Sequence, residues 1–500
     1  MMKTYQCFPG LTRSNSKFLL WIFTAVLLAF TPAHLGACEL EQVNVPNCEE
    51  DNSATFTVDV SGINLTKVTI ASTSGFTYTS LTFNGTANTF TFSEVSISNY
   101  KGFGSFTVNT EYSDRSTCQI SGYVVECCSE DDYDYIFVEQ TIPAASYNAK
   151  TIWLYGEIDI ASGTTFFDDQ ILLATDAQIN LQSNVTAEFD ECRLTRLCEY
   201  AWDGIILDNS NKTLNLLSTQ LDNSLRGIFA SNNASISLDN ASLYSNRISL
   251  YINNYSSDVI DVDGSDFDEI QSESSIVQHP SSTIGMSSYF PAYCGGSVNQ
   301  ETAPIVIKNS ESVYLGASGN TTNTFSNTNN WGGDNTFINV DNSQVFIRNN
   351  TFNSTNQALC AYDESRITFG GTATAEANTA RAQLTLENSS FYIDNNTIES
   401  SVFITDVDFA NPGTGTEDGG QIINNDFSNE AILSVDQNSI NSYLRVYNNS
   451  FTDYRISFTD FTAQSNGKLI FHTNDLNNDG YNTYAAVVVN NCDGMTFAEN

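Results

Sequence analysis

VFIRNNTF (345–352), FYIDNNTI (391–398), GQIINNDF (420–427), LRVYNNSF (444–451), LIFHTNDL (469–476) and MTFAEN (495–500) read as copies of one template. Each is an alternating strand followed by Asn, one residue and, in all but the last, a large apolar residue. The aligned Asn residues are Asn350, Asn396, Asn425, Asn449, Asn474 and Asn500, with gaps of 46, 29, 24, 25 and 26 residues, the first being about two periods. Weaker copies lie upstream in LNLLSTQL (214–221), ISLDNASL (236–243) and IDVDGSDF (260–267). A short period built from strands alone, without a Leu ladder or a helical return, fits a parallel β-helix. Its coils stack at the spacing of paired strands, about 4.8 Å. Val345, Ile347 and Phe352 then point inward, in columns continued by Phe391, Ile393 and Ile398. The Asn at the bend is expected to take the left-handed conformation and to hydrogen-bond the Asn of the next coil. This makes Asn350, Asn396, Asn425, Asn449 and Asn474 a structural ladder. A carbohydrate-binding row is the other reading, and recurrence at one corner of every coil favours the ladder.

The rungs sit in a chain of 500 residues with 19 Lys plus Arg against 58 Asp plus Glu, a formal charge of −39 and a pI of about 4.1. So negative a surface excludes nucleic acid as a partner. Only 15% of residues are charged, and polarity comes instead from Asn, Ser and Thr, which suit tight turns between strands. Apolar residues make up 41%, with 32 Phe and 23 Tyr, ample for a packed core.

Residues 1–37 read as an export signal: Lys3, Arg13 and Lys17, an apolar run from Phe18 to Phe30, and a small-residue end at Leu35-Gly36-Ala37. That run is short for a bilayer span, and no later segment is long and apolar enough. A secreted or cell-surface chain with no transmembrane segment is expected. Leu35-Gly36-Ala37-Cys38 also resembles a bacterial lipobox, in which Cys38 would carry a lipid anchor. Cysteine parity weighs against the anchor: losing Cys7 with the signal leaves an even number of the 11 cysteines for disulfides.

Over residues 38–128 the alternation in TFTVDVSG, KVTIAS, FTYTSLTF, NTFTFSEVSIS, GSFTVNTEY and CQISGYVVEC describes an immunoglobulin-like β-sandwich. Cys38 and Cys48 stand at its start, and Cys118, Cys127 and Cys128 on its last strand. Pairing between the two groups is expected to staple the terminal strands. SEDDYD, residues 129–134, reads as an acidic linker. The repeats fill 135–500, and the final rung stops before its closing apolar residue, so the solenoid is expected to continue beyond residue 500.

On these rungs, residues 135–500 resemble the right-handed parallel β-helix proteins, the broad pectate-lyase-like family. The opening segment 151–207 is similar to the first coils of large secreted bacterial β-helix proteins. It contains the turn Trp202-Asp203-Gly204-Ile205, with Cys192 and Cys198 just before it. Many such proteins carry an N-terminal sandwich. The resemblance implies an all-β chain, a small sandwich followed by a right-handed solenoid of roughly 13 to 15 coils. It is nearly silent on activity.

Hydrolases of that fold show a Gly-His-Gly turn, which this chain lacks. Beyond the signal the only His residues are His279 and His472, in neither a Ser-His-Asp nor a metal-binding spacing. Lyases of the fold use an Arg or Lys base beside acidic residues that hold calcium. Arg366, Arg445 and Arg455 are the basic candidates here, each read first as an outward solubilising charge. Asp475, Asn477 and Asp479 match the opening of an EF-hand-type loop, but its twelfth position is Ala486. Calcium is therefore a candidate cofactor on an incomplete motif.

The rung pattern breaks from Gln271 to Asn335 and again at TGTEDGG (414–420). Loops carried on a rigid scaffold are where binding resides. Tyr289, Phe290 and Tyr293 are candidates to stack on a sugar, or to pack their loop onto the coil beneath. The expectation is a noncatalytic extracellular or cell-surface protein that binds glycans or other surfaces. The alternatives are a polysaccharide lyase or glycoside hydrolase on the same scaffold, and a purely structural spacer. An acidic rod repels anionic polymers unless calcium bridges them, which disfavours the lyase.

Overall fold

A computed structural model describes most of residues 44–500. Residues 1–43, 48–53, 60–64, 85–88, 269–276, 290–302, 317–320, 327–335, 406–419, 464–467 and 478–485, with shorter stretches, lie outside the described residues. The export signal, Cys38 and Cys48 are among these. The chain divides into two compact units, one running to Ile97 and including Gly104–Val124, the other formed by Ser98–Phe103 with Val125–Asn500.

The first unit is a pair of four-stranded sheets. Leu65–Ser74 runs antiparallel to Phe103–Tyr112, and Ala54–Asp59 antiparallel to Thr89–Ile97. Alternation puts Phe76, Phe92, Val95, Phe106, Val108, Ile120 and Val124 into one core between the sheets. Phe76 meets Phe106 edge-on at 6.0 Å.

The second unit is a parallel β-helix whose coils each place one strand on each of three faces. The first and second faces are continuous sheets of 14 strands. The first runs from Tyr135–Val138 to Asp475–Asn477, the second from Thr141–Ile142 to Ala486–Asn490. The third face is a six-stranded sheet ending at Ile260–Asp263, then an eight-stranded sheet starting at Val313–Leu315. Register follows the sequence columns. Val345 pairs with Ile367 and that with Phe391, while Phe352 pairs with Ala380 and that with Ile398. The upstream copies stack likewise: Leu221 on Leu243 on Phe267. Aromatic rings lie flat on one another inside the coils, Phe267 over Phe325 at 4.9 Å and Phe325 over Phe352 at 4.7 Å. Among the described residues no helix is long and apolar enough to cross a membrane.

The Asn ladder occupies the corner between the third and first faces. Each side-chain amide donates to the amide oxygen of the next coil: Asn323 to Asn350 at 3.1 Å, Asn350 to Asn378 at 3.2 Å, Asn378 to Asn396 at 3.1 Å. It continues through Asn425, Asn449 and Asn474 to Asn500 at 3.0, 3.0, 3.0 and 3.1 Å. Asn378 fills the place implied by the gap of 46. One expectation is corrected. The residue with left-handed backbone is not the ladder Asn but the one before it: Asn349, Asn395, Asn424 and Asn448, at φ 54°, 59°, 55° and 56°. That residue turns the chain outward, and the second Asn can then point its amide into the buried corner. Upstream the same corner holds Ser265 and Thr219, whose hydroxyls accept from Ala241 N and Cys192 N.

Two further expectations change. Cys128 pairs with Cys198, 70 residues away in the first coils, rather than with the sandwich entry. Cys192 is a buried free thiol on the ladder corner, its pKa pushed up to about 12 by burial. And the interruption from Gln271 to Asn335 contains a full coil, Ala303–Lys308, Val313–Leu315 and Asn323–Ser326. Its Asn- and Ser-rich flanks hid short strands that the neighbouring coils hold in place.

Candidate functional site

The two sheets of the third face part between the strands Ile260–Asp263 and Val313–Leu315, and the corners leading into both strands are long. From Asn253 to Ile260 the chain is two residues longer than between their register partners Ser231 and Ile236 one coil earlier. From Lys308 to Val313 it is one residue longer than from Asp341 to Val345 one coil later. The strands Ile260–Asp263 and Val313–Leu315 are not paired with each other, and a cleft of about 460 Å³ opens beside them. Ser235, Ser237 and Asp261 line one side, Tyr314 and Gly316 the other.

The Tyr314 wall is built rigidly. Strand alternation puts Tyr314 and Phe346 outward on adjacent coils, their rings stacked at 4.4 Å and 8°. The Arg348 guanidinium lies 5.9 Å from the Tyr314 ring centroid and 5.5 Å from that of Phe346, and is tied to Glu376 at 3.1 Å. Gly316 has φ 79°, and a Cβ there would stand 2.0 Å from the Arg348 carbonyl oxygen, so only glycine allows this close approach. Asp261, on the other wall, is exposed. The outward row continues on both sides: Glu188, Asn215, Ser237 and Asp261, then Tyr314, Phe346, Thr368, Tyr392, Gln421 and Arg445.

The same face carries a second polar grouping farther along. Asp394 is fully buried, accepting from Tyr392 Oη at 2.9 Å and Asn424 Nδ2 at 2.8 Å. Tyr447 stacks on His472 at 5.1 Å, and His472 Nδ1 shares a hydrogen bond with Thr473 Oγ1 at 2.9 Å. Arg445 is half-buried one row away, while Arg366 and Arg455 are exposed.

Tyr289 sits elsewhere, over the outer side of the second face. Ile284, Met286 and Tyr289 pack on Leu225, Phe229, Ile248, Tyr251 and Val306. Arg226 donates to both Asp203 oxygens, at 2.8 and 2.6 Å, and to the Tyr289 hydroxyl at 2.7 Å. Burial raises the Asp203 pKa, and the guanidinium beside it opposes that shift. Phe290 and Tyr293 lie outside the described residues. His279 meets Tyr200 edge-on at 4.7 Å. Asp475 and Asn477 are exposed on one strand, and Asp479 lies outside the described residues. The one cluster of three potential metal-ligating groups among the described residues is Glu126 with Cys128 and Cys198, whose thiols are joined to each other.

The cleft residues escaped the sequence reading because Tyr314 fell inside the interrupted stretch. Aligning SVYLG (312–316) with QVFIR (344–348) would have put Tyr314 and Phe346 in one outward row. No sequence signal announces the cleft itself, which depends on how two corners stack. Compared with protein-family models and with curated protein sequences, the chain matches none.

Proposed function

We propose that the chain is a noncatalytic, exported or cell-surface protein that binds glycans along the third face of its β-helix. The observation carrying this reading is the stacked Tyr314–Phe346 pair beside a cleft lined by Ser235, Ser237 and Asp261. An aromatic face takes the apolar C–H face of a sugar, while hydroxyl and carboxylate groups opposite satisfy its polar edge. The outward row repeats once per coil at about 4.8 Å, close to the length of one extended sugar unit, so a linear polymer can meet successive coils in register. A disulfide between Cys128 and Cys198 is consistent with an oxidising compartment.

Glycan-array binding followed by calorimetry on the purified chain tests this. Tyr314→Ala is expected to weaken the best oligosaccharide about 10-fold or more, the loss of a stacked aromatic contact. Unchanged affinity would remove the cleft from the account.

A polysaccharide-cleaving enzyme is the second reading, favoured by the grouping of Asp394, Tyr392, Arg445, Tyr447 and His472 on the same face. Release of reducing ends or unsaturated sugars from any polymer, lost in His472→Ala, would establish it; binding without product release supports the noncatalytic protein. Removing calcium is expected to leave binding at the cleft unchanged, because Asp475 and Asn477 stand on a different face. Titration with and without a chelator checks this.

A further inference from the structure

We infer that the cleft selects an amino sugar bearing a free ammonium group over its neutral or acidic counterparts. The inference rests on the glycan-binding reading and concerns the charge of the ligand. Arg348, the cation of the aromatic wall, is already neutralised by Glu376. Facing that wall, Asp261 makes no ion pair among the described residues, and Ser235 and Ser237 beside it are uncharged. The strand bearing Asp261 also carries Asp263, paired in register with Asp239 of the strand before it. The cleft therefore has one unneutralised carboxylate opposite an aromatic face.

A sugar stacked on the free face of Tyr314 lies between that ring and the opposite wall. An ammonium on the side turned to that wall donates a charge-assisted hydrogen bond to Asp261. A uronic acid in the same pose brings two carboxylates together, and the surrounding field of a chain with net charge −39 adds to the repulsion. A neutral hexose keeps the stacking and loses the ion pair.

The test compares β-1,4-linked glucosamine oligomers with their N-acetylated forms and with oligogalacturonate, titrated into the whole protein. These share an extended sugar backbone or length and differ in charge. At a pH where the amine is protonated and at about 0.15 M salt, which screens diffuse attraction, the glucosamine oligomer is expected to bind about tenfold tighter than the acetylated one. Asp261→Asn, at an exposed position, is expected to bring the two oligomers to the same affinity, abolishing that preference. Equal or tighter binding of the acetylated oligomer overturns the inference and leaves the glycan-binding reading standing. A preference that persists in Asp261→Asn also overturns it, because it would come from the general surface charge. If none of these oligomers binds and the array finds no other glycan, the broader reading fails with it.

Discussion

Asn449→Ala lowers the stability of the β-helix by about 3–5 kcal/mol, whereas Gly at the neighbouring Asn448 changes it by less than about 1 kcal/mol. The two side chains are adjacent in sequence and opposite in role. Asn449 is 1% exposed; its amide donates to the Ile422 and Tyr447 carbonyls and to Asn474 Oδ1, at 2.9, 3.1 and 3.0 Å. Its oxygen accepts from the backbone and side-chain nitrogens of Asn425, both at 3.0 Å. Alanine there leaves several buried donors and acceptors without partners, and each costs about 1–3 kcal/mol. Asn448 is exposed at φ 56°, with a single side-chain bond to Asn424 among those described. Glycine takes that conformation freely. Urea unfolding of the two variants checks the contrast; equal midpoints would show that the amide column contributes no net stability.

Gly204→Ala is expected to cost on the order of 4 kcal/mol or more and to prevent the opening coils from closing. Gly204 has φ 150°, and a Cβ would lie 1.6 Å from the Arg226 carbonyl oxygen and 2.7 Å from its carbon. Both obstacles are backbone of the next coil, which is held on one side by the Asp203–Arg226 ion pair and cannot move aside cheaply. The register slips by one residue just after Gly204, so the strand is bulged where the two coils approach most closely. Gly163→Ala is the matching control: φ is 83°, but nothing stands within 4 Å, and the cost is expected to be about 1 kcal/mol. Thermal unfolding and limited proteolysis of the segment around Trp202 compare them. Wild-type behaviour in Gly204→Ala would mean that the coils can separate there.

How much of this was legible in the sequence differs between the fold and the site. Period and alternation read correctly because inward position depends on parity along a strand, which is local. Thus Val345, Ile347 and Phe352 could be placed before any coil was seen. The Asn column was equally readable, since a corner repeated in every coil repeats in the sequence too. Which Asn of each pair takes the left-handed bend was not. The residue types are identical, and only the direction of the buried corner separates Asn448 from Asn449.

Cys128 shows the limit for pairing: it lies at the end of the sandwich segment in sequence, yet its partner Cys198 lies just after Arg193–Arg196, the fourth strand of the solenoid's first face. Tyr289 shows it for the candidate site. Its sequence allows either a sugar-stacking platform or packing onto the coil beneath, and the fold packs its ring there and turns its hydroxyl onto Arg226.

The sequence by itself determined that the chain would wind into stacked coils with a Phe, Ile and Val interior and an amide spine, because those features follow from periodicity within one coil. The tertiary structure alone decided where the third face opens and which side chains meet across it. Corners one or two residues too long are unremarkable in sequence. That the strands Ile260–Asp263 and Val313–Leu315 stay unpaired appears only when one coil is laid on the next.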